Sequence, residues 1–271
     1  MVVARQNLRR HGVHHRCDFT SVTEQPGLGS TREGLRMLRM RYSLAADACD
    51  GKEVLEIACG AGMGLGLLAK KAKRVVAGDF SETLLNRARK HYGSRAAFVR
   101  LDAHFLPFSD GSFDLILCFE AIYYLREARQ FIRECHRILR PGGSLLICTA
   151  NPECPGFSRS EFSYRYYRAE ELRDVLAASQ FEAAVYGGFP LTLESFRDKS
   201  VAAIRSTAAR LGLFPRTMKR KEFLKRLFYG RLVRIQDELD VASAPAERST
   251  LISDSTGQCI CKILYAVARR S

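Results

Sequence analysis

The sequence predicts an α/β fold built on a largely parallel sheet, and three features predict it. From Lys52 to Cys148, short apolar or β-branched runs alternate with segments of helical period, the mark of successive βαβ units. The stretch VLEIACGAGMG places Glu56 near the end of an apolar run and follows it with glycines at every second position, Gly60, Gly62 and Gly64. The chain has 271 residues, 46% of them hydrophobic, which is enough to bury a full core and fits one domain with an insertion.

Taken in order, Thr31 to Ala48 reads as a helix because Leu35, Leu38 and Tyr42 recur at spacings of three and four, and it would cover one mouth of the sheet. The strands are EVLEIA, RVVAGD, AAFVRL, FDLILCF and SLLICTA. Helices lie between them at Gly64 to Lys71, Glu82 to Tyr92 and Ala128 to Leu139. The last carries Phe131, Ile132, Cys135, Ile138 and Leu139 on one stripe, and Pro141, Gly142 and Gly143 stop it. A loop, NPECPGFSRSEFSYRYY, leads to a helix from Ala169 to Ala178 and a strand near Ala183 to Gly187. KILYAVA is the final strand. About 70 residues separate those two strands, too many for a structureless loop. Residues 189–258 are therefore expected to form a basic helical insertion, with Asp240 to Gln258 a mobile link. Residues 1–30 are expected to be a basic tail and 31–271 the folded domain.

The formal net charge is +14, and Arg197 to Arg234 carry 12 Lys or Arg against only Asp198 and Glu222. SVAAIRSTAARLGLF and TMKRKEFLKRLFYGRLVRI are cationic amphipathic stretches. Such stretches lie on anionic membrane, engage a phosphorylated acceptor, contact nucleic acid, or simply cap the fold with solvated charge. No run of 18 apolar residues occurs, so a cytoplasmic protein, soluble or peripheral to a membrane, is expected. The nine cysteines lack a CxxC pair, which points to reduced thiols and no metal site.

The glycine loop does not suit a dinucleotide. The fingerprint G-x-G-x-x-G needs a third glycine three residues after the second, and the two possible registers place Leu65 or Leu67 there. Glu56 would also face a pyrophosphate at the helix amino terminus, whereas an acid suits a cationic ligand.

E-x-A-C-G-A-G resembles the first motif of the class I S-adenosylmethionine-dependent methyltransferases, acid-x-G-x-G-x-G, with Ala58 in place of the first glycine. VVAGDFSETLL, VRLDAHFLPFSDGSFDLILCFEAIYYL and HRILRPGGSLLI follow the family's later motifs in order, over about 100 residues from Lys52 to Ala150. The resemblance implies a Rossmann-like three-layer sandwich with a seven-stranded mixed sheet of order 3-2-1-4-5-7-6. It also implies S-adenosyl-L-methionine as cofactor.

Carried over by position, the resemblance puts Glu56 near the methionine end of the cofactor. Gly60 and Gly62, beside Ala58, let the backbone approach. Asp79 takes the ribose hydroxyls, and an ionised carboxylate, being acceptor-only, can take both protons. Phe80 packs on the adenine, Asp102 accepts from the adenine amino group, the Ala103 N–H donates to the ring, and Phe119 lines the methionine end. Asp79 and Asp102 would otherwise cap a helix or turn. Glu120 and Tyr123 are the candidate acceptor-side residues, with Tyr124 beside them. His104 reads as a surface loop histidine. Phe162, Tyr164, Tyr166 and Tyr167 would form an aromatic wall or anchor their loop.

The expected activity is methyl transfer to a small-molecule acceptor by in-line displacement. The alternatives are a lipid-linked or phosphorylated glycan at a membrane surface, reached through residues 197–234, and a binding protein that keeps the cofactor without turnover. Nucleic acid is disfavoured, because FEAIYY stands where nucleic-acid amino methyltransferases resemble one another in a D/N-P-P-aromatic motif.

Overall fold

The computed structural model describes residues 19–191, 232–239, 250–251 and 260–271. Most of the expected insertion, the first cationic stretch, all but residues 232–235 of the second, and residues 1–18 of the expected tail lie outside the described residues.

Seven strands form one sheet: β1 (Glu53–Ile57), β2 (Arg74–Asp79), β3 (Ala97–Arg100), β4 (Phe113–Phe119), β5 (Leu139–Ala150), β6 (Phe181–Pro190) and β7 (Cys261–Arg270). Their spatial order is β3-β2-β1-β4-β5-β7-β6, as the resemblance implies, and the two-residue strand Thr250–Leu251 adds a short eighth member beyond β6. The first five strands pair in parallel, while β7 runs antiparallel between β5 and β6.

Five helices cover the two faces: α1 (Arg32–Ala48), α2 (Leu65–Ala69), α3 (Glu82–Tyr92), α4 (Ala128–Ile138) and α5 (Ala169–Ala177). The alternation of strand side chains separates two cores. Leu55, Ile57 and Ile116 face Phe131, Ile132, Cys135 and Ile138 of α4 and Leu172 and Leu176 of α5. Val54, Leu115 and Leu117 face Leu38 and Tyr42 of α1, Leu68 of α2, and Leu85 and Ala88 of α3.

The helix ends have local causes. The Thr31 side chain accepts from the Gly34 amide to start α1, and the Ser81 side chain accepts from the Leu84 amide to start α3. The helix expected over Gly64 to Lys71 is shorter, because Gly64 serves as its N-cap and Lys70 as its C-cap. At the other end of the chain, Gly29–Ser30 pairs antiparallel with Val233–Arg234, and the Leu239 amide donates to the Met63 carbonyl. Phe19–Ser30, placed by the sequence with the tail, thus packs on the folded body.

Candidate functional site

The ends of β1, β2, β3 and β4 open on one mouth, and the loop from Ala58 to Gly64 forms its floor. Gly60 and Gly62 have φ of +57° and +80°, a left-handed backbone that glycine adopts without cost. The glycines also make room for three different elements. A Cβ on Gly60 would lie 3.1 Å from the Thr23 methyl, one on Gly62 would lie 2.8 Å from Leu65 and 3.0 Å from Tyr92, and one on Gly64 would lie 2.0 Å from the Tyr42 ring. Ala58 shares the left-handed conformation at φ +58°, which costs a residue with a Cβ about 1–2 kcal/mol.

Asp79 ties this loop to β2. Its Oδ2 accepts from the Gly60 amide at 2.8 Å and its Oδ1 from the Ser81 amide at 2.8 Å. Burial raises its pKa, and the Ser81 and Gly60 amides oppose the rise. The capping role open to Asp79 goes to Ser81 instead, so Asp79 serves the loop and the turn before α3.

Glu56, only 1% exposed, meets the Tyr42 hydroxyl, which donates to Oε1 at 2.5 Å. Its Oε2 is buried and has no hydrogen-bond partner among the described residues. Burial pushes the Glu56 carboxyl up to about 7, against the opposing pull of Tyr42 and Arg41. The neighbouring Arg41 is also buried. Its guanidinium contacts Glu24 at 2.8 Å and Glu120 at 3.9 Å. Burial opposes the Arg41 charge, but Glu24, Cys148 and Glu120 around it hold it protonated.

Glu120 follows β4 with φ +53°, a strained conformation for a residue with a side chain. Tyr123 donates to its Oε2 at 3.0 Å, and the Cys148 thiol approaches Oε1 at 3.7 Å. Burial raises the Glu120 pKa while Arg41 opposes. Tyr123 is pushed well above the ordinary phenol range by burial and by Glu120, so at neutral pH it is a donor and not a base.

Asp102 and Ala103 lie beyond β3. Asp102 Oδ1 accepts from the His104 amide at 2.9 Å and from His104 Nδ1 at 2.6 Å. His104 is 7% exposed, which corrects the expected surface histidine: Asp102 on one side and the Glu127 amide, 3.3 Å from Nε2, on the other draw the ring inward. Ala103 is buried. Phe80 is half-buried, with the Arg100 guanidinium 5.9 Å from its ring centre, and Phe119 lies edge-on to Tyr42 at 5.4 Å.

Phe19 packs edge-on against Phe80, Tyr124 and Phe162, joining the leading segment to the mouth. Of the expected aromatic wall, Tyr166 stacks on Tyr123 at 4.3 Å and Phe162 meets Phe19. Tyr167 instead enters the core beside α5, and Tyr164 is exposed.

The structure therefore gathers Glu56, the glycines, Asp79, Asp102 and Glu120 around one mouth, and adds Glu24, Arg41, Tyr42 and Phe19. Sequence reasoning missed these four as site residues. Tyr42 stood out only as part of an apolar helix stripe, and nothing local marks the others. Chemically, a buried carboxylate oxygen without a partner among the described residues can receive a cation, and an anionic ligand would face Glu56 and Asp79 together.

Residues 55–147 match the family described as "Methyltransferase domain". A protein of Mycolicibacterium smegmatis named a probable S-adenosylmethionine-dependent methyltransferase is 35% identical over 161 residues, 58% of this chain and 62% of that protein. The demethylmenaquinone methyltransferase of Clavibacter sepedonicus is 35% identical over 115 residues, 42% of this chain and 47% of that protein. The match thus spans 62% or less of these curated relatives' own lengths. Among solved structures, the [4+2]-cyclase SpnF superposes with a TM-score of 0.57 at 18% identity, over 92% of this chain and 89% of its own. An S-adenosylmethionine-dependent methyltransferase from Mesorhizobium loti gives 0.51 at 18% identity, over 85% of this chain and 98% of its own. These two likenesses show the fold.

Proposed function

We propose that this chain, a member of the class I S-adenosylmethionine-dependent methyltransferases, transfers a methyl group to a small-molecule acceptor by in-line displacement. The observation that carries the proposal is the pairing of two buried carboxylates beside one glycine loop, Asp79 holding the Gly60 amide and Glu56 keeping one oxygen without a partner among the described residues.

The residues fit the cofactor. Glu56 would receive its ammonium and Asp79 its ribose hydroxyls, while Ala58, Gly60 and Gly62 bring the backbone close. Phe80 would pack on the adenine, Asp102 and the Ala103 N–H would meet the ring's edge, and Phe119 would line the methionine end. S-adenosylmethionine supplies a methyl group already activated by its sulfonium. The protein's task is then to hold the acceptor in line and exclude water, and orientation of this kind contributes roughly 7–11 kcal/mol. For an acceptor that must lose a proton, Glu120 is the receiving carboxylate and Tyr123 its positioning residue. A small-molecule acceptor agrees with the name of the Clavibacter relative, a demethylmenaquinone methyltransferase.

The first test is calorimetric titration with S-adenosylhomocysteine, with NAD as the control. Heat from NAD alone would return the chain to the dinucleotide-binding class. Incubating methyl-labelled S-adenosylmethionine with a metabolite extract then tests transfer. Cofactor binding without any labelled product would favour a non-catalytic binding protein.

A second reading, supported by the 12 Lys or Arg between Arg197 and Arg234, is that the acceptor is lipid-linked or phosphorylated and is met at an anionic membrane surface, the chain being cytoplasmic and peripheral. Co-sedimentation with phosphatidylglycerol vesicles at low salt checks it, and protein left wholly in the supernatant would sink it.

A further inference from the structure

α1 presents two successive polar side chains to two successive strand ends: Arg41 to Glu120 after β4, and Tyr42 to Glu56 in β1. The Tyr42 position is closely determined. Its ring lies flat on the backbone of Gly64, where a Cβ would sit 2.0 Å from two ring carbons, and Phe119 closes on it edge-on at 5.4 Å. The hydroxyl is thereby fixed on Glu56 Oε1, so the carboxylate cannot rotate freely. The buried Oε2 is left as its one oxygen without a partner among the described residues.

We infer that Tyr42 is a positioning residue for the cofactor's amino end, holding Glu56 so that Oε2 is the acceptor for a primary ammonium. This rests on the methyltransferase reading of the mouth. A hydroxyl can donate only one hydrogen bond, so Tyr42 occupies one oxygen and leaves the other. An ionised Glu56 in this apolar layer is costly, and an arriving cation supplies the missing counter-charge.

Binding of an ammonium is therefore coupled to loss of a proton from Glu56. The groups that face this carboxyl are Tyr42 and Arg41 from α1, Asp79 from β2, Cys59 in the glycine loop, Tyr92 from α3 and Cys118 from β4. Of these, Arg41 is the only cation, and its closest carboxylates are Glu24 and Glu120. Affinity for an ammonium-bearing ligand should fall as pH drops below about 7, the value to which Glu56 is pushed. Removing the Tyr42 hydroxyl takes away a hydrogen bond to the charged form and moves that inflection to higher pH.

The test compares two probes by calorimetry across pH 5.5 to 8.5, roughly one and a half units either side of the Glu56 titration. S-adenosylhomocysteine carries the ammonium, and 5′-methylthioadenosine has the same nucleoside without it. Tyr42→Phe should weaken S-adenosylhomocysteine roughly three- to ten-fold at neutral pH, the range of one hydrogen bond. It should leave 5′-methylthioadenosine unchanged, and Glu56→Gln should abolish the pH inflection. Equal loss for both probes, or an inflection that does not move in Tyr42→Phe, would reduce Tyr42 to packing and overturn the inference. If the wild type bound both probes equally tightly at every pH, the Glu56 subsite alone would fail. If it bound neither, the cofactor reading would fail with it. Gly64→Ala, which displaces the Tyr42 ring without touching its hydroxyl, should reproduce the shifted inflection.

Discussion

The Tyr42 hydroxyl donates to Glu56 at 2.5 Å in the buried layer between α1 and β1, joining the helix that precedes the sheet to the strand that opens the mouth. Both side chains are buried, and the same Tyr42 ring also packs against Gly64 of the glycine loop.

The first prediction concerns pH. The Glu56 carboxyl rises from an ordinary 4.5 to about 7 in the folded protein, chiefly through burial. The folded state therefore binds this proton more tightly than the unfolded chain. Stability from this group is fully present below 4.5 and is lost as pH rises to about 7. Asp79 and Glu120, also raised, act in the same direction. Urea unfolding without cofactor should show Glu56→Gln more stable than wild type at pH 8 by about 1–3 kcal/mol, with the difference gone at pH 4.

Asp79→Ala should weaken S-adenosylhomocysteine by roughly 1–3 kcal/mol, the cost of a lost hydrogen-bonding partner. The same substitution frees the Gly60 and Ser81 amides, so the loop loses its tie to β2 as well. Unchanged affinity in a folded variant would remove Asp79 from the site.

Ala58→Gly should stabilise the protein by about 0.5–1 kcal/mol, because relief of the left-handed strain exceeds the added chain entropy of glycine. The measurement is the urea midpoint. A loss of stability would show that packing of the Ala58 methyl against the core outweighs its φ of +58°.

Arg41→Ala should cost about 3–5 kcal/mol at pH 7, since it leaves Glu24 and Glu120 without their shared buried cation. The penalty should shrink in acid, where Glu120, whose pKa burial raises, takes up a proton. Thermal unfolding at pH 4 and pH 7 separates this from simple loss of packing.

Much of the fold was legible in the residues. Short apolar or β-branched runs and stripes of period three to four located the long strands and the helices, although Leu139–Ala150 begins five residues before the expected SLLICTA and the two-residue strands carry no such signal. The strands Arg74–Asp79 and Phe113–Phe119 and the helix Glu82–Tyr92 agree residue for residue with their expected spans. The candidate cofactor residues came instead from the resemblance to the family's motifs, and the fold puts them in or shortly after the last residues of strands, Glu56, Asp79 and Phe119 within them and Gly60, Gly62 and Asp102 just beyond.

Other features had no local signature. His104 read as a surface residue because a lone histidine in a polar loop usually is one, and only the fold brings the Glu127 amide to its far side. The left-handed conformation of Ala58 and Glu120 is imposed by the turns they occupy, against the preference of their side chains.

By itself the sequence determined the βαβ order, the glycine spacing that departs from the dinucleotide fingerprint and the acids at the strand ends, because these depend on periodicity and on spacing along the chain. Only the tertiary structure decided which partners those acids have. Glu56 and Tyr42 are 14 residues apart, Arg41 and Glu120 far more, and polar contacts across such distances exist only once the sheet has drawn its helices together. Gly64 shows both at once: the sequence displays the glycine, and the packed Tyr42 ring shows what a larger residue there would displace.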